Sequence, residues 1–510
     1  MKNQLLIVGA GPTGLVLAIG LTKQGIPFRI IDKNKGPGET SRAMGVQART
    51  LEFYRQFGFA DQVVQKGIKF VNMQFYRNTT LKAKFNFENM GKGQSRYPFM
   101  LSFPQDEHEK FLIEQLEAKG VHVEWNTELV SFNQKDDHVN VVTIQNGVEE
   151  KNVYSYLCGC DGAHSSVRKG LDLNFPGGTY KQTFYVADVQ TENRENIGFQ
   201  MRLFKDGLMI VMPIRTSGSL RLIGIIPEDL MKEENKESVF SLIEPYIKKN
   251  TELKIRKLNW YSTYKVHHRV SEHFRKGRVF IAGDAGHIHS PAGGQGMNTG
   301  IGDAVNLSWK LGAVIQGKAD ESILDSYEQE RIQFAKTLVA TTDRVFTSIV
   351  GNGVCKKFNR QYLIPVIIPK MTKFSIVRKT MFKVVSQIRI NYRNSKLAKG
   401  NVGKIHGGDR LPWIPFDDTD NFAPLESFDW QLHVYGDVTP DLSNFAKENN
   451  LLLHTFPYSQ GVQKAGIKFG SAFLIRPDGY IALADETQNI SSMEEYLRKN
   501  KLKFKYNISR

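Results

Sequence analysis

The sequence predicts an α/β fold made of several structural units, and three observations support that prediction. The chain begins with an apolar strand, a glycine-rich turn and a helix, the order in which a parallel sheet starts. Its middle alternates apolar and polar residues, as a half-buried antiparallel sheet does, and its end forms a separate α+β pattern. At 510 residues the chain is long enough for about three domains with their own cores.

Composition excludes several classes of protein. Hydrophobic residues make up 41% and charged residues 24% of the chain, which excludes a disordered, collagen-like or polytopic membrane protein. Three cysteines exclude a disulfide scaffold and predict a reducing, cytoplasmic location. The apolar stretch from Leu5 to Leu21 is interrupted by glycines and a proline and is too short to span a bilayer, so we expect no targeting segment.

The N-terminal motif predicts a Rossmann-like dinucleotide-binding domain. It reads Gly9-Ala10-Gly11-Pro12-Thr13-Gly14. Gly9 suits a tight turn, Gly11 allows a pyrophosphate to approach the backbone, and Gly14 allows the helix to pack closely on the strand. The free amides and the dipole at the start of the helix, predicted over Thr13 to Gln24, stabilise phosphate charge. Asp32 ends the second predicted strand, where its carboxylate accepts the ribose hydroxyls.

Two later segments place an acidic residue just after a predicted buried strand. The segment from Tyr156 to Arg168 passes from a strand into a helix through Asp161 and Gly162. The segment from Arg278 to Asn298 passes through Asp284 into a glycine-rich loop and another helix. In this second segment the carboxylate is placed to bind polyol hydroxyls, and a glycine loop before a helix brings backbone amides against a flat, electron-rich ring.

The pattern divides the chain into four regions. We assign residues 1–70, 100–179 and 266–345 to the nucleotide-binding domain, 71–99 and 180–265 to a mostly antiparallel substrate domain, 346–400 to a basic helical segment, and 401–510 to the C-terminal unit. The C-terminal unit has a thioredoxin-like element order but no Cys-x-x-Cys motif, so it does not exchange disulfides. We expect it to stabilise packing or a homodimer.

The basic residues are unevenly distributed. Of the 68 Lys and Arg residues, 14 lie between Arg344 and Gly408, where there is no Asp or Glu, and the remaining 54 nearly balance the 52 acidic residues. No nucleic-acid-binding signature accompanies this charge, so we expect no nucleic-acid partner. An apolar stripe at helical spacing comprises Phe374, Val377, Met381, Val384 and Ile388. We expect it to pack on the nucleotide-binding domain or a second subunit, and docking on anionic lipid is the less favoured alternative.

In their order and separations, the three motifs resemble those of the class A flavoprotein monooxygenases, the p-hydroxybenzoate and phenol hydroxylase family. The resemblance covers nearly the whole chain and is strongest for the subgroup acting on phenols, chlorophenols and polyketide aromatics, which often has a C-terminal thioredoxin-like domain. It implies FAD as cofactor, NADPH or NADH as co-substrate, and O2 and a small aromatic molecule as substrates. In that family the reduced flavin adds O2 at C4a, and the hydroperoxide inserts one oxygen atom into an aromatic, phenolic or polyketide-like substrate.

The resemblance also assigns cofactor-binding residues. They are Gly9, Gly11, Pro12, Thr13, Gly14, Asp32, Lys33, Arg42, Gln105, Leu129, Asp161, Asp284, Gly294, Gly296, Met297 and Asn298. By this resemblance Asp284 is expected on the ribitol and Gly294 to Asn298 against the isoalloxazine. Asp161 is expected to take part in cofactor and pyridine-nucleotide handling. For Arg42 a surface charge, and for Gln105 a helix-capping role, are the alternatives.

Substrate contacts are expected from Met44, Phe204, Met212, Arg221 and Pro291. For Phe204, Met212 and Arg221, sheet packing is the simpler interpretation. The loop with Pro291, Gly293 and Gly294 is expected to face the flavin. Phenol hydroxylases of the family carry an Asp at the position of Met44, and methionine accepts no proton, so no catalytic base is identified. The substrate is therefore intrinsically acidic, activated by another residue, or not a simple phenol.

Other interpretations are less favoured. A flavin halogenase or reductase of the same fold is one, but Trp413-Ile414-Pro415 lacks the first Trp of the halogenase signature. A peripheral-membrane flavoprotein hydroxylase acting on a quinone-like lipid is another. Cys158 with Cys160, and His287 with His289, suggest metal ligands only weakly, because neither pair has the spacing or the partners of a metal site. We expect no metal.

Overall fold

The computed structural model describes residues 4–39, 43–86, 90–192, 198–204, 207–214, 218–227, 230, 239–290, 294–350, 367, 370, 371 and 374–504. The helices are α1 (Pro12–Lys23), α2 (Ala48–Phe57), α3 (Ala60–Lys66), α4 (Gln105–Glu117), α5 (Ser166–Gly170), α6 (Val239–Thr251), α7 (Gly296–Ile315), α8 (Asp325–Val350), α9 (Ser375–Val385), α10 (Pro440–Glu448), α11 (Gln460–Lys464) and α12 (Ile490–Lys499).

The strands of the described residues belong to five sheets. They are β1 (Leu5–Val8), β2 (Phe28–Ile31), β3 (Gly45–Val46), β4 (Ile68–Phe70), β5 (Asn72–Arg77), β6 (Thr80–Asn86), β7 (Met100–Ser102), β8 (Thr127–Gln134), β9 (Val139–Gln145), β10 (Val148–Tyr154), β11 (Tyr156–Gly159), β12 (Gly177–Thr191), β13 (Phe199–Leu203), β14 (Leu208–Pro213), β15 (Leu220–Ile225), β16 (Ile255–Val270), β17 (Arg275–Lys276), β18 (Val279–Ile281), β19 (His287–Ile288), β20 (Lys399–Val402), β21 (Ile405–His406), β22 (Gln431–Tyr435), β23 (Leu452–Phe456), β24 (Ser471–Ile475) and β25 (Ile481–Asp485).

The central sheet has the order β17-β18-β11-β1-β2, in which β18, β11, β1 and β2 are parallel to one another. All four residues of β1 are buried, as expected for a parallel strand covered on both faces. Helices α1 and α7 lie against each other so closely that a Cβ at Gly20 would be 2.4 Å from Oγ of Ser308. This contact brings the start of the chain and the helix that begins near residue 296 into one core.

The middle of the chain forms an eight-stranded sheet with the order β19-β16-β12-β15-β14-β13-β5-β6. Every neighbouring pair is antiparallel except β13 with β5, so the prediction of a mostly antiparallel sheet is confirmed. Because side chains alternate along a strand, one face of this sheet packs on α6 through residues such as Met209 and Val211. The opposite face carries Ile210 and Met212.

The C-terminal unit contains a six-stranded mixed sheet with the order β21-β20-β25-β24-β22-β23. Its core is continuous with that of the central sheet, since the rings of Trp309 on α7 and Trp430 lie edge to face with centroids 5.6 Å apart. The turn Arg476 to Gly479 between β24 and β25 inserts against α2 and α7, because Arg49 donates to the carbonyl of Asp478 at 2.7 Å. The unit is therefore packed as part of the same molecule.

One predicted strand is wrong in its first half. The pattern from Val121 to Val130 predicts a single strand, but β8 begins at Thr127. Asn126 has a left-handed φ of 52°, and Glu124 forms only an isolated bridge with Ile31. A residue in the left-handed region interrupts an extended chain, so the strand starts after it.

The basic segment also departs from its prediction. Helix α9 is present, but Phe374 and Val384 of the predicted apolar stripe are 65% and 47% exposed, while Phe382, outside the stripe, is buried. Phe382 packs against Gly91, where a Cβ would lie 2.4 Å from the ring, so the neighbouring backbone decides which face turns inward. Ile388 is buried as predicted. Among the described residues, no helix is both long and apolar enough to cross a membrane.

Candidate active site

The carboxyl ends of four parallel strands meet at one edge of the central sheet. Val8 of β1 pairs with Ile31 of β2 and with Gly159 of β11, and Gly159 pairs with Ile281 of β18. The segments that leave these strands therefore begin side by side. They carry the glycine turn, Asp32, Asp161 and Asp284. This edge of a doubly wound sheet is where such folds bind ligands, and we call it the crevice.

The glycines of the turn have two different reasons to be glycine. Gly9 has a φ of 103°, and a Cβ there would lie 2.4 Å from the carbonyl oxygen of Cys160. A Cβ at Gly14 would lie 1.9 Å from the carbonyl oxygen of Gly9. A Cβ at Gly11 would meet no atom of the described residues within 4 Å. The packing of the protein requires Gly9 and Gly14, whereas Gly11 leaves space open in the crevice.

Helix α1 begins at this open space. Gly11 is its N-cap without a side-chain hydrogen bond, and Pro12 is its first residue. Thr13 packs against Gly283, which follows β18, and against Gly300 on α7. A Cβ would lie 2.5 Å from Oγ1 of Thr13 at Gly283 and 2.3 Å from it at Gly300. The first-turn amides of α1 have no intrahelical acceptor, which makes the helix start suited to an anion.

Asp32 closes the crevice on the β2 side. Its Oδ2 accepts a hydrogen bond from the amide of Ala10 at 2.8 Å, and its Oδ1 accepts from the amide of Asn34 at 2.9 Å. Lys33 is exposed beside it. Leu129 is buried in β8, whose first residue donates to the carbonyl of Asp32 at 2.9 Å. Asp32, Lys33 and Leu129 therefore belong to the same end of the site.

Gln105 links α4 to the segment that follows β2. Its Oε1 accepts from the amide of Ala43 at 3.1 Å, and its Nε2 donates to Oε1 of Glu109 at 2.8 Å. The other carboxylate oxygen of Glu109 accepts from the amide of Gly38 at 2.9 Å. Burial, with a further contribution from Asp32, raises the pKa of Glu109. Gln105 is thus held by a local network rather than serving as a helix cap through its side chain.

Asp161 combines a hydrogen-bonded oxygen with a buried one that has no partner. Oδ2 accepts from the amides of Ser166 at 2.6 Å and Val167 at 3.2 Å. Oδ1 is buried and has no hydrogen-bond partner among the described residues. Burial raises the pKa of the carboxyl group and outweighs the hydrogen bonds that lower it. A buried, unpartnered carboxylate oxygen at a ligand-binding edge is suited to accept from a ligand.

Asp284 is exposed in the short turn that follows β18, and a second acid holds that turn. Asp303 on α7 is fully buried and accepts from the amide of Gly283 at 3.0 Å and from Arg331 at 2.5 Å. Its Oδ2 also lies 2.6 Å from Nε2 of His287. Burial would raise the pKa of Asp303, but Arg331 and His287 outweigh it and lower the value. His287 therefore joins the segment after this turn to α7 through Asp303.

The glycine loop is joined to the segment before α2 by one side chain. Asn298 donates from Nδ2 to the carbonyls of Gly45 at 2.8 Å and Gly294 at 2.9 Å. Its Oδ1 accepts from the amide of Gln47 at 2.9 Å and the hydroxyl of Thr50 at 2.7 Å. All four hydrogen-bonding positions of this amide are used within the protein. Asn298 therefore shapes the two walls of the crevice, and its side chain has no position left for a ligand.

The remaining predicted positions lie at the crevice, outside the described residues, or in the core. Gly296 and Met297 form the first turn of α7 and are half-buried at the crevice. Arg42, Pro291 and Gly293 lie outside the described residues. The two cysteines at Cys158 and Cys160 are buried, and burial raises the pKa of both thiols, as expected for structural residues.

Two of the predicted substrate residues come together. Met44 and Met212 lie with Phe70 and Ile214 in one buried apolar cluster, which we call the apolar wall. Met44 directly precedes Gly45, so the wall begins beside the glycine loop. A pocket of about 500 Å³ lies next to the wall. It is lined in part by Phe70, Phe199, Pro213, Lys69, Gln74 and Lys84.

The other two are placed differently. Phe204 is buried on the α6 side of the sheet, with its ring centroid 5.9 Å from that of Tyr246. Arg221 lies opposite Met212 across β14 and β15, on the face of the wall. It is fully buried, and its Nε and Nη2 each donate to Asp188 at 2.7 Å. The Arg221 guanidinium is thus held by a protein carboxylate.

The sequence did not indicate several buried charges that support the site. Asp303 with Arg331, and Glu330 with Arg476, are ion pairs with no exposed member. A single acid or base within an otherwise apolar helical stretch indicates such a pair. The apolar stretch predicts that the residue is buried, and an unpaired buried charge is unfavourable. Asp303 in Ile301-Gly302-Asp303-Ala304 has that form. The partner of each charge lies far away in the chain.

The residues of the crevice fit FAD. The open space at Gly11, next to a helix start, matches a pyrophosphate, and Asp32 matches a ribose. The buried Oδ1 of Asp161 and the exposed Asp284 offer acceptors for polyol hydroxyls. When bound, FAD supplies hydride acceptance and O2 activation.

Comparison with known proteins identifies the family. Residues 2–342 match the family described as FAD binding domain. The chain is 33% identical to 6-methylpretetramide 4-monooxygenase from Streptomyces rimosus, over 97% of this chain and 93% of that protein. It is 30% identical to a flavin-dependent monooxygenase from Mycobacteroides abscessus, over 95% of this chain and 97% of that protein.

A solved structure agrees. OxyS anhydrotetracycline hydroxylase from Streptomyces rimosus is similar with a TM-score of 0.77 and 25% identity, over 98% of this chain and 99% of that one. The match spans the C-terminal unit as well as the nucleotide-binding domain. The chain belongs to the FAD-binding domain family and is an FAD-dependent monooxygenase.

Proposed function

We propose that this monooxygenase consumes NADPH or NADH and inserts one oxygen atom from O2 into an aromatic, phenolic or polyketide-like small molecule. The observation that carries the proposal is the contact between the crevice and the apolar wall. Met44 of the wall is adjacent in the chain to Gly45, whose carbonyl accepts from Asn298 at 2.8 Å. A planar apolar substrate on the wall therefore lies next to the place proposed for the flavin ring.

The assignment of residues to FAD is part of this proposal. We infer that Gly9 to Gly14 and the start of α1 bind the pyrophosphate of FAD. Asp32, Lys33 and Leu129 contact its adenosine end. Gln105 and Arg42 contact FAD from the side opposite the glycine loop. Asp161 and Asp284 bind polyol hydroxyls. The start of α7 supports this arrangement, because Gly296 and Met297 in its first turn are half-buried at the crevice. A helix start near a reduced flavin ring stabilises its negative charge by about 0.3–1 kcal/mol.

The apolar wall narrows the class of substrate. The side chain of Met44 accepts no proton, so position 44 supplies no base to deprotonate a phenol, and the carboxylate of Asp188 on the same face of the sheet is paired with Arg221. The substrate we propose carries a hydroxyl group that ionises without such a base, as the enolic hydroxyls of polyketides do. Two similar proteins, 6-methylpretetramide 4-monooxygenase and anhydrotetracycline hydroxylase, support the polyketide-like class.

We also propose the organisation of the chain into the four regions assigned from the sequence. The strand order β23-β22-β24-β25, with one parallel pair followed by an antiparallel hairpin, supports a thioredoxin-like C-terminal unit. Its first strand has no cysteine after it, so its role is structural, either within one chain or in a homodimer. The low cysteine content supports a cytoplasmic location.

The test is a substrate screen with the purified holoenzyme. We expect phenolic and polycyclic aromatic compounds to accelerate oxidation of NADPH or NADH, and mass spectrometry of the product to show a gain of one oxygen atom. An ¹⁸O2 atmosphere then labels the product. Gain of a halogen, or a two-electron reduction of the substrate without gain of oxygen, would contradict the proposal.

A further inference from the structure

Helix α9 and the residues just before it expose large apolar side chains, and two of them, Phe374 and Val384, belong to the stripe that the sequence predicts to be buried. Ile376 is 73% exposed and Phe374 is 65% exposed, and Met371 and Val384 are each nearly half exposed. Large apolar side chains scattered singly on a surface are ordinary, but Ile376 and Val384 lie on the same face of α9 by helical spacing, and Met371 and Phe374 are exposed just before its first residue. We call these four side chains, with Lys379 and Lys383 between them, the basic apolar face.

The charge around this face has one sign. Lys370, Lys379, Lys383 and Arg389 are exposed, and none of them forms an ion pair with a described carboxylate. No acidic residue occurs between Arg344 and Gly408, so no carboxylate of this segment neutralises them. A cluster of unneutralised cations beside exposed apolar groups is complementary to a surface that is both anionic and apolar beneath its charge.

We propose that the basic apolar face docks on the surface of an anionic lipid bilayer. The apolar side chains enter the boundary between headgroups and acyl chains, and the lysines remain at the level of the phosphates. The face is the outer side of a helix, and its residues line neither the pocket beside Trp309 and Trp430 nor the pocket beside the apolar wall. A flat lipid surface therefore fits it better than an acidic peptide, which needs a groove to hold its side chains.

The position of the face relates it to the crevice. The end of α9 is bonded to the N-cap of α7, since Gln295 donates to the carbonyl of Val385 at 2.7 Å and Gln387 donates to Gln295 at 2.6 Å. Docking thus places the start of α7, at Gln295, close to the bilayer. An apolar aromatic substrate concentrates in the bilayer, so a docked enzyme meets it at a higher local concentration. The docking itself does not depend on the proposed reaction.

The experiment is flotation of the FAD-loaded full-length protein with unilamellar vesicles. We expect the protein to float with vesicles containing 30% phosphatidylglycerol in phosphatidylcholine, and to remain at the bottom with phosphatidylcholine alone. The double variant Lys379→Gln/Lys383→Gln should lower the partition coefficient about fivefold for each charge removed. The double variant Phe374→Ser/Ile376→Ser should lower it about tenfold or more even at low salt.

A matched control is Phe469→Ser with Lys464→Gln, which removes an apolar group that is 57% exposed and a cation from the C-terminal unit. This control should float as the unchanged protein does. The proposal is overturned if the unchanged protein does not float with anionic vesicles at 0.1 M salt, or if the control and the α9 variants lose binding equally. It is also overturned if sedimentation shows a dimer that Phe374→Ser/Ile376→Ser converts to a monomer, because the face is then covered by a second copy.

Discussion

Arg476 in the C-terminal unit donates to both carboxylate oxygens of Glu330 on α8, at 2.8 and 3.0 Å. Both side chains are buried, and Lys310 on α7 adds a third charge at 2.8 Å. Burial alone raises the pKa of Glu330, but Arg476 and Lys310 outweigh it and hold the value well below the usual range. The C-terminal unit is therefore attached to the two helices that pack behind the crevice.

Removing Arg476 should destabilise the whole molecule. In Arg476→Met the carboxylate of Glu330 keeps Lys310 but loses its bidentate partner in a buried site. Breaking a buried pair by removing one partner costs about 3–5 kcal/mol. Urea denaturation followed by tryptophan fluorescence measures the change.

The matched control is Lys468→Met, which breaks an ion pair with Glu486 that is exposed at the surface of the same unit. Exposed pairs contribute at most about 1 kcal/mol, so this variant should unfold close to the unchanged protein. Equal losses in the two variants would show that burial of the Arg476 pair has no special effect.

Gly11→Ala and Gly14→Ala should fail in different ways. A Cβ at Gly11 meets no described atom, so Gly11→Ala should fold with nearly unchanged stability in the absence of FAD but bind FAD at least about tenfold more weakly. A Cβ at Gly14 would overlap the carbonyl of Gly9 at 1.9 Å, so Gly14→Ala should lower the stability of the apoprotein by several kcal/mol, roughly in the range of overpacked cores or above.

Fluorescence titration of the apoprotein with FAD and thermal unfolding without FAD separate these two outcomes. If Gly11→Ala binds FAD as tightly as the unchanged protein, the open space at Gly11 is not the site of the pyrophosphate.

Asn298→Ala should loosen the two walls of the crevice. The substitution leaves the hydroxyl of Thr50, the amide of Gln47 and two carbonyls without their buried partner. Each unsatisfied buried group costs about 1–3 kcal/mol, and relaxation recovers part of that, so we expect a loss of about 2–4 kcal/mol. FAD affinity should fall as well, because Gly45 and Gly294 are no longer held together.

Asn298→Asp is the informative second variant, since it keeps the acceptor oxygen but removes both N–H donors. It should retain the bonds from Gln47 and Thr50 and lose those to Gly45 and Gly294. Unchanged FAD affinity in both variants would contradict the role given to this side chain. Urea denaturation and FAD titration provide the two measurements.

Acid should destabilise the protein in part through His289. Burial, only partly offset by the bond from its ring to the carbonyl of Ser290, lowers the pKa of His289 from 6.5 to about 4. Between pH 6.5 and about 4 the unfolded chain therefore binds a proton that the folded chain does not. The free energy of unfolding then falls with decreasing pH, by up to about 1.4 kcal/mol per pH unit from this group.

His289→Gln removes that titration. The free energy of unfolding of this variant should therefore fall less steeply as the pH decreases from 6.5 to about 4, and its dependence on pH above 6.5 should be unchanged. The measurement is a series of urea denaturation curves across pH in excess FAD. If the free energy of unfolding falls equally steeply with decreasing pH in the two proteins, His289 is protonated in the folded state as easily as in the unfolded chain. His108 and His433, whose pKa values burial lowers to about 3, keep their own contribution in both proteins.

Local motifs were the most predictable part of the site. Gly14 packs against the carbonyl of Gly9 in the same turn, and the carboxylate of Asp32 accepts from the amide of Ala10 in that turn. Their roles are visible in the sequence because the interacting groups are close in the chain. The four parallel strand ends were predictable for the same reason, since each motif contains its own strand and turn.

Periodicity predicted faces but not their partners. Met212 and Phe204 both lie on strands or strand ends of the same sheet, yet only Met212 joins the apolar wall. In α9 the 3.6-residue period correctly indicated a helix, but Phe382 rather than Phe374 is buried, because Gly91 leaves room for its ring. Which side of an amphipathic element is covered depends on the shape of whatever packs on it.

The sequence by itself determined the class of fold, the dinucleotide crevice and the family of the protein, because glycine turns and strand-ending acids act over a few residues. Only the tertiary structure decided that Asn298 joins Gly45 to the glycine loop, that Asp303 holds the Asp284 turn, and that Arg476 meets Glu330. Those contacts join groups up to 253 residues apart. A buried polar group needs a partner, but no local pattern states which distant residue supplies it.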